Sequence, residues 1–412
     1  MIQGRALPVP ADFAAPPTAG DLVRWQDADR AARPARLARL RERFAAAGVD
    51  AYFGLRREHM RYLSGFTLAD GEEKVAGNSG QFLVTGDEVV VLADSRYILQ
   101  AQREAPESRV HAAFHAFPQR WADLVTSVGA KRVAVEAALL SHAGWQRLAA
   151  AAPDIELVGV EGWVEADRAT KEPAELERIA AACAVADRAM AGLLPSIRPG
   201  VTERALALDL EWRMRTAGAD ALAFDVACLA GPEAALPHGS PGDRPVLNDA
   251  VLLFDFGAEV AGYRSDMTRT LFVGEPAARD LEVYGLVARA QEAAVDAIRV
   301  AVAVAHDEGV DLPSGRAIDA VARDVIVAAG RGEQFGHGLG HGIGLATHEL
   351  PSLGLSAAEA PLPSPTVFSV EPGVYVDGEM GVRIEDLMTI DTAAGTSALL
   401  TQFPRDIVVV GR

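Results

Sequence analysis

Carboxylates standing inside otherwise apolar, strand-like runs are the feature of this chain that most narrows what it can fold into. Asp255 lies in Phe254-Asp255-Phe256-Gly257, and Tyr263-Arg264-Ser265-Asp266-Met267-Thr268-Arg269-Thr270 follows closely. Gly257 and Gly262 permit a hairpin, which would place Asp255 and Asp266, 11 positions apart, on adjacent strands. A carboxylate buried there without a cation is costly. The plainer alternative is that Asp255 caps a turn or pairs with Arg264 or Arg269. Glu371, in Ser369-Val370-Glu371-Pro372-Gly373-Val374-Tyr375, and Glu385, in Val382-Arg383-Ile384-Glu385-Asp386, repeat the pattern. Each alone is equally compatible with a solvent-facing strand position.

Between these pairs runs Gly336-His337-Gly338-Leu339-Gly340-His341-Gly342-Ile343-Gly344-Leu345, with His348-Glu349 close behind. Glycines at this density let backbone and imidazole approach a bound group closely. No Gly-Lys-Ser/Thr follows and the glycine spacing fits no dinucleotide fingerprint, so a phosphate loop is excluded. The glycines also argue against a helical zinc pair of His337 and His341, and one ligating histidine fits better than two. Four carboxylates and an imidazole in apolar contexts repel one another unless cations bind. Two divalent ions carrying +4 balance four carboxylates carrying −4 and leave a shared water acidic enough to act as hydroxide near neutral pH. The oxygen-rich set with one imidazole suits Mn²⁺, Co²⁺ or Zn²⁺.

Composition limits the partners. The 39 basic and 57 acidic residues leave a net charge of −18, which argues against a broad nucleic-acid or anionic-membrane surface. Two cysteines, Cys183 and Cys228, make neither a disulfide framework nor a thiolate zinc site and fit a reducing compartment. Met1 to Gly20 holds four prolines and lacks the apolar run of a signal peptide, and no apolar stretch reads as a membrane span, so a cytoplasmic location is expected.

The 412 residues divide into an extension over 1–30 without sustained period, an α/β domain over 31–165 and a larger domain over 166–412. In the first domain, strands are expected at Asp50–Gly54, Gly80–Thr85, Glu88–Ala93 and Arg132–Val135, after a helix carrying Leu37, Leu40 and Phe44. In the second, Pro173 opens a helix running towards Leu194, Thr202 caps another ending near Gly218, and Ile318, Val321 and Val325 mark a third closed by Gly330. Val251–Gly257 is expected to pair with Met267–Val273. Helices segregated from antiparallel hairpins predict an α+β second domain.

In this order the motifs resemble those of the pita-bread metallopeptidases, the family of methionine aminopeptidase, aminopeptidase P, prolidase and creatinase, from about Glu172 to the end of the chain. The resemblance implies five metal ligands: Asp255 chelating one ion, Asp266 and Glu385 bridging both, and His341 with Glu371 completing the other. It implies that His238, in Ala235-Leu236-Pro237-His238-Gly239, contacts substrate near the scissile bond, and that His348 stabilises the tetrahedral intermediate or passes it a proton. His337 would lie near the proline-side pocket, and Arg383 would orient Glu385 or bind substrate.

Tyr62-Leu63-Ser64-Gly65-Phe66, Asn78-Ser79-Gly80 and Asp94-Ser95-Arg96-Tyr97 resemble the creatinase-type amino-terminal domain of aminopeptidase P, prolidase and creatinase. The expected architecture is therefore a C-terminal pita-bread catalytic domain behind a smaller creatinase-type α/β domain. The implied activity is hydrolysis of the bond preceding proline, with Glu371 relaying the proton, His238 and His348 assisting, and two divalent ions, Mn²⁺ ahead of Zn²⁺ or Co²⁺. The substrates would be peptides with proline in second place, handled by a homodimer or higher oligomer. Removal of the first residue, as by aminopeptidase P, stands ahead of dipeptide cleavage, as by prolidase. Another amide hydrolase of the fold and a non-catalytic binding module are the remaining alternatives. Two departures, Glu233 in place of a common asparagine and Phe224 in place of a tyrosine, bear on the pocket for the first residue. The segment Leu68 to Gly77 is expected to form a loop.

Overall fold

The computed structural model describes residues 6–68, 79–112 and 117–411; Asn78 and all of the Leu68–Gly77 segment except Leu68 lie outside the described residues. The chain forms two compact units, Val23–Asp167, and Met1–Leu22 with Arg168–Arg412.

In the smaller unit the long helix α1 (Ala19–Ala47) precedes β1 (Ala51–Gly54), α2 (Arg57–Ser64), β2 (Phe82–Thr85) and β3 (Val89–Ala93). Then come α3 (Ile98–Glu104), β4 (Arg109–Ala112), α4 (Phe117–Ser127), β5 (Arg132–Glu136), α5 (His142–Ala151), β6 (Glu156–Val160) and α6 (Trp163–Ala169). The described strands form a mixed sheet in the order β4-β3-β2-β1-β5-β6. Its central strands are buried along their whole length, which is why they read as unbroken apolar runs. The edge strands β4 and β6 escape the sequence reading because they are largely exposed or half-buried and lack such runs. Helix α1 likewise begins well inside the segment 1–30, read as an extension without sustained period. It is polar over most of its surface and buries only Trp25, Arg36, Leu40 and Phe44, so its first turns carry little apolar period.

The larger unit opens with α7 (Pro173–Leu193), where Pro173 occupies the first turn and Glu172 and Glu175 form a reciprocal cap. Helix α8 (Glu203–Thr216) follows, with the Thr202 hydroxyl accepting from Ala205 N at 3.2 Å. Next are β7 (Ala221–Leu222), β8 (Ala227–Ala230), β9 (Ala250–Phe256), β10 (Ala258–Val260), β11 (Tyr263–Arg264) and β12 (Met267–Val273). Helices α9 (Ala278–Glu308) and α10 (Gly315–Ala328) lead to β13 (Gly340–Gly342), β14 (Glu349–Leu353), β15 (Thr366–Val370), β16 (Gly373–Val376), β17 (Met380–Arg383), β18 (Asp386–Asp391), β19 (Thr396–Leu399) and β20 (Val409–Val410). The main described sheets run β20-β12-β9-β8 and β14-β13-β15-β18-β19. The apolar residues of α9 and α10 share one core with the inner faces of β9, β15, β17 and β18. Helix α9 was missed by the sequence reading although Val283, Leu286, Val287, Val295, Ile298 and Val302 recur on its buried face at helical spacing. The expectation that no stretch could span a bilayer needs correction: Pro173–Ser196 has the length and a mean hydropathy of 1.2, but 67% of that window is buried inside the fold, as in a core helix.

Candidate metal centre

Strands β9 and β12 pair antiparallel with Asp255 opposite Thr268, and Asp266 lies just before β12, next to the Met267–Phe256 pair. The expected hairpin thus exists, but with a second, smaller one inserted at its end. There β10 and β11 meet through a two-residue turn at Ala261 and Gly262, whose φ values of 48° and 80° are those of a type I′ turn. At Gly257 a Cβ atom would stand 2.0 Å from Ser265 O, so only glycine lets the two chain segments close here.

His341 sits in the middle of β13, held between β14 and β15. A Cβ at Gly340 would meet Ser369 O at 1.9 Å, and one at Gly342 would meet Leu350 O at 2.1 Å. The glycine density around the histidine therefore serves close strand-to-strand approach. Glu371 and Glu385 do not lie within strands, as the sequence reading had them: Glu371 immediately follows β15 and Glu385 falls between β17 and β18. Backbone bonds fix both, Glu371 N donating to Leu339 O at 2.8 Å and Glu385 N to Thr268 O at 3.1 Å.

These elements bring the acidic residues and one imidazole to the floor of a cavity of about 1050 Å³, which Asp255, Asp266, His341, Glu371 and Glu385 all line. His341 Nε2 is 3.3 Å from Glu371 Oε1 and 3.6 Å from Asp266 Oδ2. Its Nδ1 lies 3.0 Å from Gly342 O, which fixes the proton on Nδ1 and turns the Nε2 lone pair to the carboxylates. Burial pushes the carboxyls of Asp266 and Glu385 well above the usual range, and neighbouring carboxylates push the same way. Burial also raises Glu371, against the pull of Arg383, and lowers His341. Asp255 Oδ1 and Glu385 Oε1 are buried oxygens without a hydrogen-bond partner among the described residues. Ligand atoms of Asp266, His341 and Glu385 lie within 4.8 Å of one another. Acceptor oxygens left without donors, mutual repulsion and an imidazole presenting its lone pair together fit divalent cations.

Neither cation considered for Asp255 from sequence holds it, since Arg264 reaches Glu259 and Arg269 reaches Asp386. Its partner is Arg383, whose Nη2 donates to Asp255 Oδ2 at 2.5 Å. The same buried guanidinium donates through Nε to Thr268 Oγ1 at 2.8 Å, and Thr268 Oγ1 donates to Glu385 Oε2 at 2.7 Å. Arg383 thus touches Asp255 directly and Glu385 through Thr268. Its Nη1 also donates to Tyr375 OH at 2.9 Å, and Tyr375 OH donates in turn to His337 Nε2 at 2.9 Å. His337 Nδ1 lies 2.8 Å from Gly338 O, so the chain of bonds has one consistent proton order. Burial raises the Tyr375 hydroxyl to about 12 and lowers His337.

His238 and His348 are exposed in the cavity wall, and the rings of His348 and His341 stand 4.2 Å apart. Of the two departures noted from sequence, Phe224 lines the cavity, whereas Glu233 faces Arg244 at 3.6 Å. Thr268, Ser369 and Tyr375 were within the quoted motifs yet unassigned, because a hydroxyl between two charged groups leaves no mark in a sequence. Asp319 and Arg323 on α10 were missed as well. They form an ion pair at 2.7 Å, Asp319 accepts from Leu339 N, and Arg323 donates to Phe335 O and His337 O, which fixes the approach to β13. Their only signal was the i, i+4 spacing.

Comparison with known proteins identifies the family. Residues 177–392 match Metallopeptidase family M24 and residues 36–170 match the Creatinase/Prolidase N-terminal domain. The chain is 34% identical to the uncharacterized peptidase YqhT of Bacillus subtilis over 376 residues, covering 91% of this chain and 100% of that protein. Among solved structures, the Xaa-Pro dipeptidase from Bacillus anthracis superposes with a TM-score of 0.81 at 31% identity, covering 92% of this chain and 100% of that one. The X-Pro aminopeptidase from Thermotoga maritima does so with a TM-score of 0.79 at 33% identity, covering 91% and 99%. With the family match spanning the whole carboxylate constellation and relatives aligned nearly end to end, the chain belongs to metallopeptidase family M24 and carries a Creatinase/Prolidase N-terminal domain before its pita-bread catalytic domain.

Proposed function

We propose that this chain hydrolyses the peptide bond preceding proline and releases the first residue of peptides with proline in second place. The observation that carries the reading is the buried carboxylate constellation around His341, with Asp255 Oδ1 and Glu385 Oε1 lacking a donor among the described residues. In this reading Asp255, Asp266, His341, Glu371 and Glu385 hold two divalent ions, Mn²⁺ ahead of Zn²⁺ or Co²⁺. When bound, such ions supply Lewis acidity at the carbonyl and a water acidic enough to attack it.

The chain's own groups supply the rest. Glu371, steadied by Ser369 Oγ at 3.0 Å, takes the proton of the attacking water and delivers it to the departing prolyl nitrogen. His348 donates to the developing oxyanion. A tertiary X–Pro amide has no N–H for a peptidase to grip, so recognition falls to the shape of the site around the ring, where His238 and His337 line the wall. Arg383 keeps one oxygen of Asp255 occupied and leaves the other for a cation.

Relatives bear both the dipeptidase and the aminopeptidase names. Two observations favour the aminopeptidase. The cavity of about 1050 Å³ is ample for a chain longer than a dipeptide. Among the described lining residues the arginines are Arg323 and Arg383, and both are committed, the first to Asp319 and two carbonyls, the second to Asp255, Thr268 and Tyr375. A dipeptide's carboxylate would therefore have to compete for a cation already engaged. The proposal extends to a homo-oligomer and a reducing, cytoplasmic setting, with which the two free, buried cysteines accord. The test is chelator-stripped protein, with and without Mn²⁺ or Zn²⁺, on an X–Pro dipeptide and on the same peptide extended by one residue. Metal-dependent release of the first residue from the longer peptide is the expected result. Cleavage of the dipeptide alone would assign the dipeptidase activity instead, and silence on both would refute the proline reading.

A further inference from the structure

We infer that the cavity selects peptides whose first residue is cationic, and that Asp225 is the residue that makes the selection. This rests on the X–Pro peptidase reading and adds to it the charge class of the substrate.

Asp225 lines the cavity beside Phe224, is exposed, and has no hydrogen bond or ion pair among the described residues. On the cavity floor Asp255, Glu385 and Glu371 each have one oxygen engaged, by Arg383, Thr268 and Ser369 respectively. Asp225 is thus a charge held toward the cavity without a protein counterion. Its backbone is pinned from both sides. Ala223 N donates to Gly257 O and Ala223 O accepts from Thr347 Oγ1, the neighbour of His348, while Ala227 pairs in register with Asp255. Two chain positions and one inter-strand step put Cα of Asp225 at most roughly 12–13 Å from Cα of Asp255. That is within reach of a lysine or arginine side chain on a residue whose carbonyl lies at the floor. The half-buried Phe224 ring beside it offers apolar surface to the methylene stem of such a side chain.

The rest of the wall points the same way. Glu333, also exposed and without an ion pair among the described residues, lines the cavity near Phe335. Both lining arginines are occupied by protein groups, so an anionic side chain on the first residue that reaches this wall meets Asp225 or Glu333 and no unengaged arginine. The net charge of −18 attracts cationic peptides from a distance and adds a salt-dependent gain in encounter rate.

The experiment compares kcat/KM for Arg-Pro-Ala, Met-Pro-Ala and Glu-Pro-Ala on metal-loaded wild type, Asp225→Asn and Asp225→Lys. An exposed pair contributing about 1 kcal/mol predicts that the wild type favours Arg over Met about fivefold and disfavours Glu. Asp225→Asn should bring the Arg-to-Met ratio close to one, and Asp225→Lys should invert the order of Arg and Glu. The ratio within one variant cancels differences in folding or metal loading. A wild-type ratio near one, or an unchanged ratio in both variants, would overturn the assignment of Asp225 while leaving the X–Pro reading intact. No cleavage of any of the three peptides by the loaded wild type would remove both.

Discussion

Thr268→Val isolates the one hydroxyl that links the guanidinium of Arg383 to the carboxylate of Glu385. Thr268 is fully buried, donates to Glu385 Oε2 at 2.7 Å and accepts from Arg383 Nε at 2.8 Å. Valine preserves the β-branched shape and the strand, whose backbone still receives Glu385 N at 3.1 Å. What disappears is two hydrogen bonds to charged groups, each about 1.5–3 kcal/mol. The loss on the Glu385 side is the informative one. Its Oε1 already lacks a partner, so without Thr268 its carboxylate has no remaining hydrogen-bonded side chain among the described residues to fix its orientation. If orientation is what Thr268 supplies, affinity for a divalent cation should fall by that single bond, about tenfold to a hundredfold. The assay is calorimetric titration of chelator-stripped protein with Mn²⁺, alongside thermal unfolding without metal to show that the variant is folded. Thr268→Ser, which keeps the hydroxyl, should restore most of the affinity. Wild-type affinity in the valine variant, or equal losses in the serine and valine variants, would refute the reasoning.

Other outcomes follow from the same geometry. Gly340→Ala would put a Cβ 1.9 Å from Ser369 O in a strand paired on both sides, so it should lower the midpoint of thermal unfolding sharply; a change within one or two degrees would contradict the packing account. His341→Ala should abolish divalent-ion binding and turnover together, whereas His348→Ala should slow turnover with ion affinity intact, as read by calorimetry and peptide hydrolysis. Burial raises the Asp187 carboxyl to about 6 against the pull of Gln402 N and Phe403 N. Below about pH 4 it is protonated in both states and stability is unaffected. Between about 4 and 6 only the unfolded chain ionises, so stability falls as pH rises, by about 3 kcal/mol once pH exceeds 6. Asp187→Asn, measured by denaturant unfolding in chelator, should flatten that slope relative to wild type, and an identical slope would assign it to other groups.

The parts of this molecule that could be read from its sequence share a physical trait: each violates a local rule strongly enough to be seen in one dimension. Asp255 interrupts an apolar strand and Gly340 and Gly342 crowd a histidine, and the structure places Asp255, Gly340 and His341 at the cavity floor. The central strands β2 and β3, buried throughout, were equally visible, while the edge strands β4 and β6, half solvated, were not. What stayed hidden are groups whose role exists only in three dimensions. Arg383 lies two residues from Glu385, yet the carboxylate it grips is Asp255, on another sheet and 128 positions away. Arg269, adjacent to Thr268, turns instead to Asp386, which also receives Gln291 and Thr401. Sequence proximity therefore does not show which carboxylate each arginine grips, and for Arg269 the reason is strand alternation: neighbours on a strand face opposite sides, so Thr268 points to Glu385 and Arg269 to the buried network behind it. The floor retains an excess of negative charge because that second network keeps its arginine to itself. A centre built to attract cations needs its nearest positive charges either absent or already engaged, and in this chain Asp386 engages Arg269 while Asp255 and Thr268 engage Arg383.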